Sequence, residues 1–448
     1  MKYLYTTANK YFALLLMMLL GNLALLAQNT TFSPYSRYGI GLIQPKYTNG
    51  NFGMLGTGYA WRPMNYKPQI YDSLSRSDVK LNDRGSNFIN IKNPASFSNL
   101  SLTTFEAGIF GQSVNLENQN SSQTENSAFL SHMMIAMPIA SRWGVGFGIR
   151  PYSKVGYEYQ NINTTSNGQQ IENLYTGSGG LSQIFVATSV ELIDHLSIGI
   201  SGNYLFGNLS DERRVIYNNS SFFFNTLDQT ELNVNAFTFD LGLQYFRDLN
   251  SKYRMVVGLT SSPISEIDAK QKYLLRNYDG DIDFEDFKDT IADVDDVKTT
   301  IPIGSNIGFG VSIENKGEWM LGLDYTNTQF EEEQITAEVL TQSYSEISLG
   351  FEKFNDLTSF GSYWKRMGYR AGLRYNSGYL NINGEDIQEF GIGFGIAMPL
   401  RKSFSTLNFG IEVGQRGKTD NELIEERFVN FQFGVTINDR WFIKRKYD

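Results

Sequence analysis

Trp143-Gly-Val-Gly-Phe-Gly-Ile149 alternates a bulky apolar residue with glycine, and Phe390-Gly-Ile-Gly-Phe-Gly-Ile396 repeats the beat. Polar residues replace some glycines in Phe237-Thr-Phe-Asp-Leu-Gly-Leu-Gln-Tyr245 and Val429-Asn-Phe-Gln-Phe-Gly-Val-Thr-Ile437. A period of two is a strand with opposite faces. One face here is aromatic and aliphatic. The other carries glycine, Asn, Ser, Gln and scattered charge. That contrast fits a strand with lipid outside and a hydrated interior behind it. The expected fold class is all-β: a transmembrane antiparallel β-barrel in contact with outer-membrane lipid.

The route to a membrane is written at the start of the chain. Lys2 and Lys10 precede an apolar run from Tyr11 to Leu26, broken by Gly21-Asn22 and ending in Leu25-Leu26-Ala27. Residues 1–27 read as a secretory signal peptide. The unbroken apolar stretch is too short for the ~20 helical residues that span a bilayer. There is no Cys in the chain, so it has neither a disulfide frame nor thiolate chemistry. Loss of Lys2 and Lys10 moves the net charge from −9 to about −11, which argues against nucleic-acid partners.

Residues 28–99 are rich in Asn, Ser, Tyr, Arg and Pro and alternate poorly. From residue 100 to 438 the strand pattern is continuous. About 14 segments are expected, at 100–115, 126–139, 142–160, 180–193, 195–215, 231–248, 252–275, 300–315, 317–335, 339–355, 365–380, 386–400, 403–417 and 425–438. Links at 139–142, 193–195, 248–252, 314–317 and 400–402 are short. Those at 161–179, 210–230, 276–298 and 418–424 are long. Short periplasmic turns and long outer loops are the barrel rule, with 355–364 the one exception. Trp143, Trp319, Tyr369, Tyr375 and Trp441 fall where an interfacial girdle would lie. Pro263, which has no N–H for the ladder, predicts a kink in the wall. The expected domains are therefore 1–27 signal peptide, 28–99 N-terminal plug, 100–438 transmembrane barrel and 439–448 a basic periplasmic tail.

Catalytic chemistry is sparse. The only histidines, His132 and His195, fall on different predicted strands. No phosphate loop, His-Glu-x-x-His or paired metal-binding histidine occurs, so no enzyme activity and no cofactor are expected. The acidic stretch holding Asp279, Asp281, Asp283 and Glu285 starts like a calcium loop. Phe284 stands where glycine is needed, and Thr290 where a bidentate Glu is needed. A solvated external loop is the favoured reading.

Alternation in the eleventh segment puts Arg366, Arg370 and Arg374 on the inner face. The same logic directs Glu346 and Glu352, Glu389, Glu412 and Arg416, and Asp240 and Asp324 inward. Opposed Arg and Glu on neighbouring strands pair. Such an ionic wall either guides polar solutes or holds a plug. Arg37, Arg62, Arg76, Asp78, Asp83 and Arg84 in the N-terminal segment favour the plug.

Met54-Leu55-Gly56-Thr57-Gly58 and Asn93-Pro94-Ala95-Ser96-Phe97, with the start Ser33-Pro34-Tyr35-Ser36-Arg37-Tyr38-Gly39, resemble motifs of the FadL-like outer-membrane transport proteins. That family includes toluene and long-chain fatty-acid channels and PorV-type barrels. The resemblance implies a 14-strand barrel with an N-terminal hatch, and passive transport of hydrophobic or amphipathic small molecules through kinks or side openings. Two features depart from the family. The inferred interior is ionic, and the chain ends in the basic stretch Arg440-Trp441-Phe442-Ile443-Lys444-Arg445-Lys446-Tyr447-Asp448. Both suit the alternative expectation, an accessory barrel in an outer-membrane secretion or protein-assembly complex.

Overall fold

The computed structural model describes residues 31–63, 71–72, 77–78, 88–165, 168, 170–217, 223–280, 285–330, 333–336, 339–354, 362–400, 403 and 405–439. Fourteen strands close into an antiparallel barrel. They are β1 Thr103–Glu117, β2 Ser122–Ala140, β3 Trp143–Thr164, β4 Gln170–Ile193 and β5 Leu196–Tyr217. Next come β6 Asn225–Asp248, β7 Tyr253–Ser262, β8 Ser305–Asn315, β9 Trp319–Gln329 and β10 Tyr344–Lys353. The last four are β11 Gly368–Asn376, β12 Glu389–Pro399, β13 Thr406–Arg416 and β14 Glu425–Asp439. Each pairs with its neighbour in sequence, and Thr103↔Asp439 through Glu117↔Glu425 joins β1 to β14. Pairing of β1 with β14 leaves neither terminal strand as an edge in the hydrocarbon, where an unpaired peptide group would cost several kcal/mol.

The alternation sorts as the sequence predicts. Phe394 on β12 and Phe433 on β14 are 57% and 49% exposed on the outer face, whereas Glu412 on β13 and Asp324 on β9 are 1% exposed on the inner one. A register slip of one residue would turn every one of these side chains to the opposite face.

Three of the expected long loops are corrected. β3 and β4 stay paired to Thr164↔Gln170, and β4 and β5 to Ile171↔Tyr217. The acidic stretch is a hairpin of Glu266–Asp279 and Asp286–Pro302, whose first strand pairs with β6 from Asn225 to Val234. A bilayer takes only ~9–11 strand residues, so strands of 22–24 residues continue into water as a tall sheet. Charge marked this stretch as solvated, but solvated strands still complete their ladders. Asp286–Pro302 is that sheet's outer strand. Its acids and the register shifts opposite Gln271–Tyr278 blunt an edge that would otherwise template aggregation.

Pro263 lies between strands rather than within one. β7 ends at Ser262↔Asn306, and the hairpin begins at Glu266↔Pro302. The chain leaves the wall there, where proline has no ladder bond to lose. Residues 1–27, expected as a signal peptide, and the expected tail from residue 440 lie outside the described residues, and Asp439 belongs to β14. Most of the exceptional link at 355–364 also lies outside them.

Residues 31–63 and 88–102 run along the inner face of the wall. A Cβ added to Gly372 would sit 2.5 Å from the carbonyl carbon of Met54, one at Gly350 2.7 Å from Thr57, and one at Gly53 2.7 Å from Gly395. Side chains at Gly434 and Gly308 would collide with Asn49 and Tyr59. The inward glycines are therefore the seat of this segment: backbone approaches backbone where no side chain stands between. Asn93 fixes its lower end. Its side chain accepts from Ala95 N at 3.0 Å and donates to Tyr59 O at 2.9 Å and Leu243 O at 3.1 Å.

Candidate functional site

The inner face of β9–β14 is an ionic lattice held by register. Arg370 stands opposite Glu352, and its Nε and Nη2 lie 2.9 and 2.8 Å from Glu352 Oε1. Glu352 Oε2 accepts from Trp61 Nε1 at 3.0 Å, while Arg370 Nη1 reaches Asn49 O and Asn408 Oδ1, each at 3.2 Å. Arg374, two inward positions further along β11 beyond Gly372, meets Glu412 at 2.9 Å and also pairs with Glu389. Its Nη1 lies 3.8 Å from Glu346. Arg416 joins Glu389 at 2.7 Å to Glu426 at 2.8 Å, and Ser33 donates to Glu426.

Two further carboxylates bind the N-terminal segment directly. Asp324 accepts from Gly58 N at 2.7 Å and Tyr59 N at 3.0 Å, with Lys92 Nζ at 3.7 Å. Asp240 accepts from Lys46 Nζ at 2.7 Å, Asn203 at 3.2 Å and Ser262 at 2.5 Å. Burial pulls the Lys92 ammonium toward neutrality, but Tyr59, Asp324 and Glu346 outweigh it, and its pKa stands above the usual lysine value. Removing one partner from such a buried pair costs about 3–5 kcal/mol. These pairs tie the segment to strands far away in sequence.

The structure thus places Arg374, Glu346, Glu389, Glu412 and Arg416 in one network, with Asp324 linked to it through Lys92; Arg370 and Glu352 form a separate pair, and Asp240 a separate cluster. Arg366 is a correction. It ends the short 3-10 turn Tyr363–Arg366 ahead of β11, with its guanidinium 5.2 Å from the Tyr363 ring centroid. The alternation was carried two residues past the true strand start, Gly368. Of the N-terminal charges, Arg37 lies beside the stacked Tyr159 and Tyr175 rings, 5.4 and 5.0 Å from their centroids, and donates to the Tyr159 hydroxyl. Arg62 donates to Gln244 at 3.2 Å. Arg76, Asp83, Arg84 and the side chain of Asp78 lie outside the described residues. Met54, Gly56 and Gly58, like Asn93, Pro94 and Ala95, all sit on the inner segment, and Gly56 has a φ of +78°.

Sequence reasoning missed Lys46, Trp61, Lys92 and Glu426. Glu426 carried a signal, since it alternates with the outward-facing Arg427 and Val429 on β14. The other three lie in an irregular segment with no period to orient them.

The calcium reading is weakened where it is visible. Asp279 accepts from Gly280 N at 3.0 Å, and Glu285 is taken by Arg276 at 3.3 Å and by Arg214. Asp281 and Asp283 lie outside the described residues. His132 is buried on β2, 2.8 Å from Ser131 Oγ, with Nε2 3.9 Å from Glu106. His195 sits in the turn before β5 with a φ of +75°. They are not brought together.

The wall itself has a break. β2 and β3 pair only from Met133↔Ile149 down to Ala140↔Trp143. Above that level β2 pairs with β1 alone, and β3 from Arg150 upward with β4. Behind the break lies a cavity of about 180 Å³, bordered by Phe110, Phe129, Arg150 and Lys154 at the wall and by Arg374 and Glu412 within. Lys154 reaches across to the Phe129 ring. Counting the ~9–11 strand residues of a bilayer crossing upward from Trp143 sets this break at the outer interface of the apolar band.

A family model described as BamG matches residues 80–448. No curated protein matches the chain. Among solved structures, the chain is similar to a Pseudomonas aeruginosa FadL homologue, at 10% identity over 90% of this chain and all of that one, with a TM-score of 0.56. It is also similar to the Pseudomonas putida toluene transporter TodX, at 12% identity over 89% of this chain and 99% of that one, with a TM-score of 0.52. At such identities the likeness is one of fold, and the fold is the FadL-type barrel. These neighbours are transport barrels, not enzymes.

Proposed function

The chain belongs to the BamG family, and we propose that it is an outer-membrane barrel that takes a hydrophobic or amphipathic small molecule from the bilayer into an interior cavity. The observation that carries this reading is the loss of β2–β3 pairing above Met133↔Ile149, directly in front of the cavity. A barrel gives up ladder bonds at membrane depth only where the freed groups find other partners or a wetted cavity. Leu42, Ile43, Phe110 and Phe129 supply apolar wall on one side, and Arg150, Arg374, Glu412 and Arg416 make the other strongly ionic, a division that suits an amphipathic ligand better than a purely apolar one. On this reading residues 28–99 act as a hatch. Below the cavity, residues 48–63 and 88–99 of this segment occupy the interior, and the ionic contacts of the wall hold them there. Outer-membrane placement is part of the proposal and is supported by the aromatic outer face and the FadL-type fold.

Native mass spectrometry of the protein extracted from its own membrane tests this. The expected result is an apolar or amphipathic molecule bound at about one copy per chain. An empty protein that also fails to take up added uncharged alkyl compounds sinks the reading.

One observation favours a second reading, an accessory subunit of an outer-membrane secretion or assembly complex. The interior below the cavity is filled by residues 46–63 and 88–100, and the tall outer sheet offers surface beyond what a pore needs. Mild-detergent purification with crosslinking separates the two readings. A stoichiometric outer-membrane partner supports the second, and a lone barrel removes it.

A further inference from the structure

Resting on the proposed entry site, we infer that residues Ser36–Gln44 form a latch that closes the β2–β3 break by adding themselves to the bare edge of β3. Four contacts carry the inference. Leu42 and Ile43 form a two-residue antiparallel ladder with Lys154 and Ser153. Gln44 N donates to Tyr152 O at 2.8 Å. Gly156 N donates to Ser36 Oγ at 3.0 Å, and Gly156 O lies 3.1 Å from that hydroxyl, whose proton it shares with Ser33 O at 2.6 Å. Together they satisfy peptide groups of β3 from Tyr152 to Gly156, the stretch that lost β2 as a partner. The added strand therefore lies in line with the wall, where the missing half of the ladder would run.

The latch is built to fit this edge. Gly41 has a φ of +83°, and a Cβ there would run into the Lys154 carbonyl and lie 2.6 Å from a Val155 methyl. No other residue seats Leu42 against β3 without strain. The latch is also short. Its backbone and Ser36 contacts with β3 are joined by Tyr379 Oη donating to Gly41 O at 3.0 Å, by Arg150 donating to Gln44 O, and by burial of Ile40 and Leu42 in two apolar clusters. The segment beyond it is pinned by the ion pair Lys46–Asp240 and by the Asp324 cluster. Release therefore stops at residue 45. Peeling Ser36–Gln44 from β3 uncovers the cavity at the outer interface and leaves the rest of the segment seated.

The chain has no native Cys, so a disulfide can hold the latch shut without interference. Leu42 and Lys154 are direct ladder partners, and antiparallel partners have Cα atoms about 4.5–5.5 Å apart, within disulfide reach. The probe is an uncharged dodecanol carrying a diazirine, added to phosphatidylcholine vesicles that contain the full chain. The readout is photolabelling of interior residues such as Tyr47 and Arg374, located by peptide mass spectrometry. In the Leu42→Cys/Lys154→Cys protein, oxidation is expected to cut interior labelling at least tenfold, and reduction restores it. Gly41→Val, which unseats the latch, is expected to raise labelling severalfold above wild type. Asn115→Cys/Thr124→Cys, a ladder pair between β1 and β2, controls for cross-linking and leaves labelling unchanged on oxidation. Equal labelling of oxidised and reduced protein overturns the latch and leaves the entry site standing. Absence of interior labelling in every form, Gly41→Val included, overturns the entry site and the latch with it.

Discussion

Asp324→Ala is the sharpest perturbation of the seat that holds the N-terminal segment. The carboxylate on β9 accepts from Gly58 N and Tyr59 N at 2.7 and 3.0 Å and lies 3.7 Å from Lys92. Hydrogen bonds to a charged group contribute roughly 1.5–3 kcal/mol each. Two such bonds, with a buried ammonium left behind, would sum to more than the loss expected, because Glu346 lies 3.7 Å from Lys92 and still offsets its charge. The net cost is about 3–5 kcal/mol, the range for breaking a buried pair. Asp324→Asn keeps an acceptor oxygen and should lose only about 1–2 kcal/mol, the difference between charged and neutral hydrogen bonds. The assay is reversible urea unfolding from phosphatidylcholine vesicles, with the folded fraction followed by tryptophan fluorescence. Lys92→Met completes a double-mutant cycle. Because it removes the stranded ammonium, the double variant should be more stable than the sum of the singles by about 1 kcal/mol or more. An Asp324→Ala protein within about 0.5 kcal/mol of wild type, or strictly additive singles, would refute the seat.

The glycine seat is tested by contrast. Gly372→Val presses on Met54 backbone and should cost about 1–3 kcal/mol by overpacking, whereas Gly202→Ala, with open space around its Cβ, should stay within about 0.5 kcal/mol of wild type; urea titration of both checks this, and equal effects would contradict it. Deleting residues 28–92 should raise single-channel conductance in planar bilayers, since it removes the occupant of the lumen. No rise in current would discard the hatch. Nitroxides at Phe394→Cys and Phe433→Cys should respond to dissolved oxygen and be shielded from water-soluble nickel chelate, as lipid-facing sites are. Water exposure at both would sink the barrel's orientation.

Much of the wall was legible because strand alternation is local. Phe390, Ile392 and Phe394 declare one face without reference to any other strand. The same arithmetic oriented Arg370 and Arg374, Glu352 and Glu412, and Asp240 and Asp324. It failed at its ends. Arg366 was carried inward because nothing local announces that β11 begins at Gly368. The stretch 276–298 reads as a loop in sequence because its charges report contact with water and say nothing of ladder bonds. Pro263 was sensed as an interruption, yet its place between β7 and the outer hairpin depends on which strand β6 pairs with at each level.

The sequence by itself determined that this chain makes strands with one greasy face, that about fourteen of them form the wall, and which residues within each wall strand look inward, because side-chain direction in a strand follows from backbone geometry alone. Only the tertiary structure decided which inward charges meet, as with Trp61 and Glu352, 291 residues apart. It also decided where the wall fails to pair and what covers the gap. Those outcomes depend on closure of the whole barrel around an irregular segment. No repeat in that segment records which strand each of its residues will touch.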